Sequence, residues 1–296
     1  MVLTCPGGNL KLTIGGTVME LGVFIFATDY SIKIDELARA LEDRGYASLF
    51  LPEHTHIPVS RKSPWPGGGD LPKEYAHTHD PFVALSFAAA ATTKLKLGTG
   101  ISLLPQRDPI VTAKVVASLD MLSNGRFVLG IGGGWNVDEM ENHGAKYETR
   151  FKQMRECVLA MKALWTEEEA SFHGEFYDFD PAWSYPKPLQ KPYPPIILGG
   201  ETKYTLRRVA EYCDGWLPRA TPDFDPAESM ARLREAADEA GRDMSELSVT
   251  VFRAPPDAQQ LESYAQAGIA SGLLQLPSAD RDTVLRLLDE YAPLLH

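Results

Sequence analysis

The sequence predicts an α/β chain closed into a (β/α)8 TIM barrel, with an insertion before strand five and a long loop after strand two. Three observations carry this. The chain has 296 residues, close to the usual size of one such barrel with insertions. Eight short apolar runs alternate with helical segments. Several runs end in glycine-rich or polar turns, the end of a barrel strand that carries chemistry. An open doubly wound sheet is the alternative, but eight βα units in one chain favour closure.

The elements follow in order. Residues 1–18 are Gly-rich and polar and read as an N-terminal extension or an early start, so 19–296 form the single barrel domain. They lack the charged start and apolar core of a signal peptide. Leu21–Phe26 is the first strand, and Ile34, Leu37, Ala38 and Leu41 mark a helix stopping near Gly45. Ser48–Leu51 is the second strand. A long polar loop follows, containing PWPGGGD and a Tyr75–His79 segment. Asp80-Pro81 opens the next helix, through Ala91. The segment Lys96–Trp135 is a strand–helix–strand unit. Its helix starts at Asp108-Pro109, shows Val111, Val115, Leu119 and Leu122 as one apolar face, and stops at Asn124-Gly125, which tolerate a left-handed C-cap. Asn136 with Glu139 resembles a capping box, and a longer helix spans Tyr147 to Trp165.

Glu167 to Pro195 leaves the pattern. It holds Phe172, Phe176, Tyr177, Phe179 and six prolines, too aromatic for a solvated linker, and reads as an ordered excursion over the body. Alternation resumes at Pro195–Gly200, with further strands at Gly215–Leu217, Leu247–Phe252 and Ile269–Leu276. Helices fall at Thr202–Cys213, Pro226–Ala240, Asp257–Ala267 and Arg281–Tyr291.

Composition sets limits. Apolar residues are 44% of the chain, enough for a large core. A net charge of −11 argues against nucleic-acid or anionic-membrane partners. No apolar run is long enough to span a bilayer. Cys5, Cys157 and Cys213 are too scattered for a metal knuckle or disulfide framework, which fits a reducing, cytoplasmic setting.

The candidates lie at strand ends. Glu53, His54 and His56 follow strand two. His54 reads as a proton donor or ring contact, and His-x-His as a metal pair; a packed loop histidine weighs about as much. His77-Thr78-His79 precedes a helix cap, not a strand end, and no later carboxylate or lysine completes a two-metal site. After strand four, GIGGGW matches G-x-G-x-x-G poorly, because Trp135 takes the third glycine's place. Gly133 and Gly134 let backbone approach a flat ligand or phosphate, with Trp135 as a wall; a tight turn is the plain reading. Gly199-Gly200-Glu201, running into a helix, forms either an anion site or an ordinary turn. With no nucleophile elbow, P-loop or H-E-x-x-H, the chemistry points to a bound cofactor.

These segments resemble the bacterial luciferase-like monooxygenase superfamily, in its branch that uses the deazaflavin coenzyme F420. The resemblance rests on LGVFIF, Arg44-Gly45-Tyr46, Pro52-Glu53-His54, GTGISLLPQRDPIVTAKVVASLDMLSNGRFVLGIGGGWNVDE, PKPLQKPYPPIILGG and AEYCDGW, between Met19 and about Ala220. It implies a barrel with the coenzyme's ring in the mouth and a non-proline cis peptide at Gly100-Ile101 forming a bulge behind it. It implies Glu53 and His54 at the ring, and Gly133-Gly134 and Gly199-Gly200-Glu201 at the phosphate-bearing tail. Trp135 stands where sugar-phosphate oxidising relatives carry a catalytic glutamate, so that substrate class is not expected.

The leading expectation is a cytoplasmic oxidoreductase exchanging a hydride between F420 and a small organic substrate, with His54 as catalytic group. The excursion and the Ser60–His79 loop would cover the site. Relatives often pair through helices two and three, which implies a homodimer. The alternatives are an FMN monooxygenase activating oxygen, a His-x-His metal hydrolase, and a non-enzymatic cofactor carrier.

Overall fold

A computed structural model describes residues 12–14 and 17–295. Eight parallel strands close into a barrel: β1 (Thr17–Phe24), β2 (Ser48–Leu51), β3 (Lys96–Thr99), β4 (Phe127–Gly132), β5 (Ile196–Gly199), β6 (Gly215–Leu217), β7 (Ser248–Ala254) and β8 (Ser271–Gln275). Each pairs with its neighbour in sequence, and β8 pairs back onto β1. The outer helices are α1 (Ile34–Arg44), α2 (Pro81–Ala91), α3 (Pro109–Leu122), α4 (Arg150–Thr166), α5 (Lys203–Tyr212), α6 (Pro226–Ala240), α7 (Ala258–Gln266) and α8 (Arg281–Tyr291). Residues 12–14 pair antiparallel with the start of β1, so this part of the extension is structured. Cys5 and residues 1–11 lie outside the described residues.

Strand alternation divides the core in two. Leu21 and Val23 from β1 with Ile25 just beyond it, Leu49 and Leu51 from β2, and Val249 and Val251 from β7 face the helices and join the large outer core. Phe24, Phe26, Phe50, Ile197, Leu217 and Leu273 point inward as a separate, largely aromatic cluster. Each buried side chain of this size contributes about 1.5–3 kcal/mol. Helix ends follow the predicted chemistry. Asp80 and Asp108 accept N–H bonds at the starts of α2 and α3, and Asn124 and Gly125 adopt φ of +61° and +74° after α3.

Two expectations change. Of the expected apolar face of α3, Leu119 and Val115 pack on the core but Val111 and Leu122 do not. Val111 is 61% and Leu122 80% exposed, while Thr112, Ala113, Val116, Ala117 and Asp120 face the core with Leu119. Asp120 is fully buried because it accepts bonds from the Gln190 backbone and side-chain amides at 2.9 and 2.7 Å. Gln190 also donates to the Phe127 carbonyl, which explains the Q in the proline-rich segment.

The excursion does not cover the mouth. It forms an antiparallel hairpin, Ala170–His173 with Asp178–Ala182, whose turn is held by Glu156 of α4. Its return runs over α3 and α4, with Lys114 donating to the Tyr185 carbonyl and Lys187 to that of Leu164. Tyr177, Phe179 and Tyr193 pack against the outer core, Tyr193 on Trp165 of α4, while Trp183 and Tyr185 stay exposed. Tyr185-Pro186 and Lys191-Pro192 are cis within it.

Candidate active site

The third strand is interrupted where the resemblance placed a bulge. Leu97 and Gly98 pair with Phe127 and Val128, but Ser102 and Leu103 pair with Ile131 and Gly132. One extra residue is therefore accommodated across 99–101, which bends the strand. The Gly100–Ile101 peptide bond is cis, as implied. Three glycines on neighbouring strands make room. A Cβ at Gly130 would sit 1.9 Å from the Thr99 carbonyl oxygen, and one at Gly132 1.9 Å from the Ile101 Cδ1. One at Gly199 would lie 3.2 Å from the Ile101 Cγ2.

Glu53 holds this bulge from the tip of β2. Its side chain is 2% exposed. One oxygen accepts from the Ser102 hydroxyl at 2.8 Å and the Leu103 amide at 2.7 Å. The other accepts from Arg107, whose guanidinium also reaches Asp80. Burial works against the Arg107 charge, but Glu53 and Asp80 more than offset it and hold its pKa above the usual value. The carboxylate is thus taken up by the bulge and its flanking loop.

His54, the next residue, has a different partner. Its Nδ1 lies 2.7 Å from Glu139 Oε2, with the two side chains 6% and 0% exposed. Glu139 Oε1 accepts the Thr55 amide at 3.1 Å. A carboxylate oxygen can only accept, so Nδ1 is the ring nitrogen that donates in this bond. Nε2 is left without a protein partner among the described residues. Asn136 does cap the helix Val137–Asn142, but the Glu139 side chain does not close a capping box, because it is committed to His54. Its spacing gave no hint of that second task.

Aromatic rings surround the histidine. Tyr75 lies 5.2 Å and Trp135 5.8 Å from the His54 ring. Tyr75 also meets Phe26 at 4.6 Å and Trp65 at 6.0 Å. Trp65 and Tyr75 come from the long loop after β2. Its far end is tied down by the Thr28–Thr78 bridge and by the His79 amide on the Ala27 carbonyl. This loop does cover the mouth. His56 faces outward, bonded to Thr55 and Asn142. Among the described residues no three His, Cys, Asp or Glu side chains converge as metal ligands, so the His-x-His reading loses its geometry.

The adjoining tip of β4 is compatible with an anion. A Cβ at Gly133 would meet the Phe151 ring at 2.9 Å, and Gly134 turns the chain with φ +75°. Arg150 and Arg208 lie 4.3 and 4.0 Å from that same ring. Burial first, then the neighbouring Arg208 charge, lower the Arg150 pKa. Arg150 Nε and Gln106 Oε1 are buried without partners. An anionic tail lying here would accept from the Arg150 Nε–H, whereas the Gln106 carbonyl oxygen calls for a donor. Gly200 (φ +122°) precedes the N-terminus of α5, where Thr202 caps. Glu201 is engaged by Arg219 at 2.8 and 2.9 Å. A separate surface groove of about 600 Å³ lies between the loop after β1 and α2, lined by Ala27, Asp29, His79, Val83 and Phe87, away from His54 and Trp135.

Fold and geometry together define a (β/α)8 protein with its candidate site at the strand tips. More particularly, the chain belongs to the luciferase-like monooxygenase family, whose model matches residues 19–286. An uncharacterised protein of Mycobacterium tuberculosis (strain ATCC 25618 / H37Rv) is 38% identical over 283 residues, 94% of this chain and 99% of that protein. The FMNH2-dependent dimethylsulfone monooxygenase of Pseudomonas putida is 35% identical over 130 residues, 43% of this chain and 35% of that protein. An F420-dependent secondary alcohol dehydrogenase, solved with an F420-acetone adduct, superposes with a TM-score of 0.73 at 18% identity, covering 94% of this chain and 99% of that one.

Proposed function

We propose that this chain is an oxidoreductase that exchanges a hydride between coenzyme F420 and a small organic substrate. The observation that carries the reading is the His54–Glu139 pair, opening onto an aromatic mouth beside a bulged strand. When bound, F420 supplies or accepts the hydride. The bulge at Gly100 and Ile101 would back its ring. Gly133, Gly134, Gly199 and Gly200 would line its tail, with Arg150 and Arg208 meeting the phosphate and Glu201 held in place by Arg219. Glu53 shapes this site through the bulge.

His54 moves the proton. With Nδ1–H fixed on Glu139, Nε2 accepts a proton from a substrate hydroxyl, and in the reverse direction returns it. Glu139 steadies the imidazolium that forms. Trp65, Tyr75 and Trp135 exclude water from the mouth. A homodimer fits as well. Val83 and Phe87 on α2, and Ile110, Val111 and Leu122 on α3, are large apolar side chains left 45–80% exposed on adjacent helices. Such a patch is what a partner surface covers.

His54→Gln tests the reading. The expected result is a fall in kcat of roughly 100-fold with F420 affinity unchanged, the latter followed by tryptophan fluorescence. A variant as active as the wild type, or a protein that takes up no F420, sinks it. The local likeness to an FMNH2-dependent enzyme favours a second reading, an FMN monooxygenase. Deazaflavin lacks the nitrogen with which reduced flavin handles oxygen. Oxygen uptake with FMNH2 and none with reduced F420 would select that second reading.

A further inference from the structure

The tip of β7 carries a feature that the hydride reading does not use. Phe252 pairs with Leu273 and Ala254 with Leu274, so Arg253 is the extra residue of a β-bulge. Its φ is +59°, a left-handed conformation that side chains other than glycine's rarely adopt. Backbone of this kind persists where the surroundings impose it, and it clusters at functional sites. The conformation aims the side chain. The Arg253 guanidinium carbon lies 5.9 Å from the Phe24 ring centroid, and Phe24 is a fully buried member of the inner cluster. A guanidinium that close to an interior ring projects over the barrel mouth.

The charges around it differ. Arg107 is neutralised by Glu53 and Asp80, and Arg219, beside Phe252, by Glu201. Glu139 is committed to His54. Arg253 has no carboxylate within ion-pair distance among the described residues. It also stands apart from the Arg150 and Arg208 pair, since β7 is two strands from β5 and three from β4. The rings of Tyr75, Trp135 and Phe26 supply apolar walls in the same mouth.

We infer that Arg253 is the anion-recognition residue of the substrate site, and that the substrate is an organic carboxylate with an apolar, ring-bearing body. One planar guanidinium, with no carboxylate paired to it among the described residues, suits a bidentate, singly charged carboxylate. The aromatic walls take the body. The inference rests on the hydride reading only in naming this anion the substrate.

Benzoate and benzyl alcohol, one charged and one neutral, serve as probes, with binding followed by tryptophan fluorescence in the cofactor-free protein. Benzoate is expected to bind the wild type, and Arg253→Gln and Arg253→Gly to weaken it roughly tenfold or more. Benzyl alcohol should bind all three alike. Arg253→Gly relieves the left-handed backbone, so its melting temperature should not fall, which separates lost recognition from lost folding. Benzoate that fails to bind the wild type, or binds the variants equally well, overturns the inference. So does an equal loss of F420 or FMN affinity in Arg253→Gln, which would assign the residue to the cofactor tail. A protein that binds benzoate through Arg253 but takes up neither cofactor keeps the anion site and removes the redox reading.

Discussion

Glu53 and His54 are adjacent in the chain yet serve separate tasks at one strand tip. Glu53 fastens the bulge and His54 faces the mouth, each answered by a charged partner far away in sequence. Glu53→Gln leaves a mostly buried guanidinium short of its main partner. Urea unfolding should show a loss of about 3 kcal/mol. Glu139→Gln acts differently. An amide can present either oxygen or NH2 to Nδ1, so the imidazole tautomer is no longer fixed. Turnover should fall roughly tenfold or more with the melting temperature and F420 affinity kept, and Glu139→Asp should recover part of it. His54 was legible because it follows a strand and a familiar Pro-Glu. Glu139 was legible only as a helix-cap position, since its 85-residue separation from His54 is bridged by tertiary structure alone.

Among the elements, β3 and its neighbours show how a glycine pattern can be read on two levels. The glycines of GIGGGW and LGG were visible as places where backbone comes close to something. Part of that something is the chain itself. Gly130, Gly132 and Gly199 yield space to Thr99 and Ile101. Gly130→Ala would drive a methyl group into a carbonyl oxygen, and thermal unfolding should register a loss of about 2 kcal/mol or more, together with weakened cofactor binding. Helix and strand positions were largely legible, because capping aspartates and prolines mark them locally. The buried face of α3 was not. A helix apolar on nearly every side carries no periodic signal for which face turns inward. Its inward side is fixed by Asp120, whose partner Gln190 comes from the return of the excursion.

At the scale of the whole molecule, closure of the barrel followed from counting units, and the family match supports the same architecture. The path of the excursion did not follow, because aromatic content states that a segment packs but not against what. The exposed apolar residues of α2 and α3 give a further expectation. Light scattering should report a dimer for the wild type, and Phe87→Glu combined with Leu122→Glu should yield monomer. A monomeric wild type would reject the pairing. The long loop between β2 and α2 has a separate consequence. It is rooted in a barrel strand at one end and stitched to the turn after β1 at the other, while Trp65 and Tyr75 hang between these moorings. The span can thus be exchanged as a cassette, changing the aromatic walls over the strand tips while the His54–Glu139 pair beneath is inherited intact.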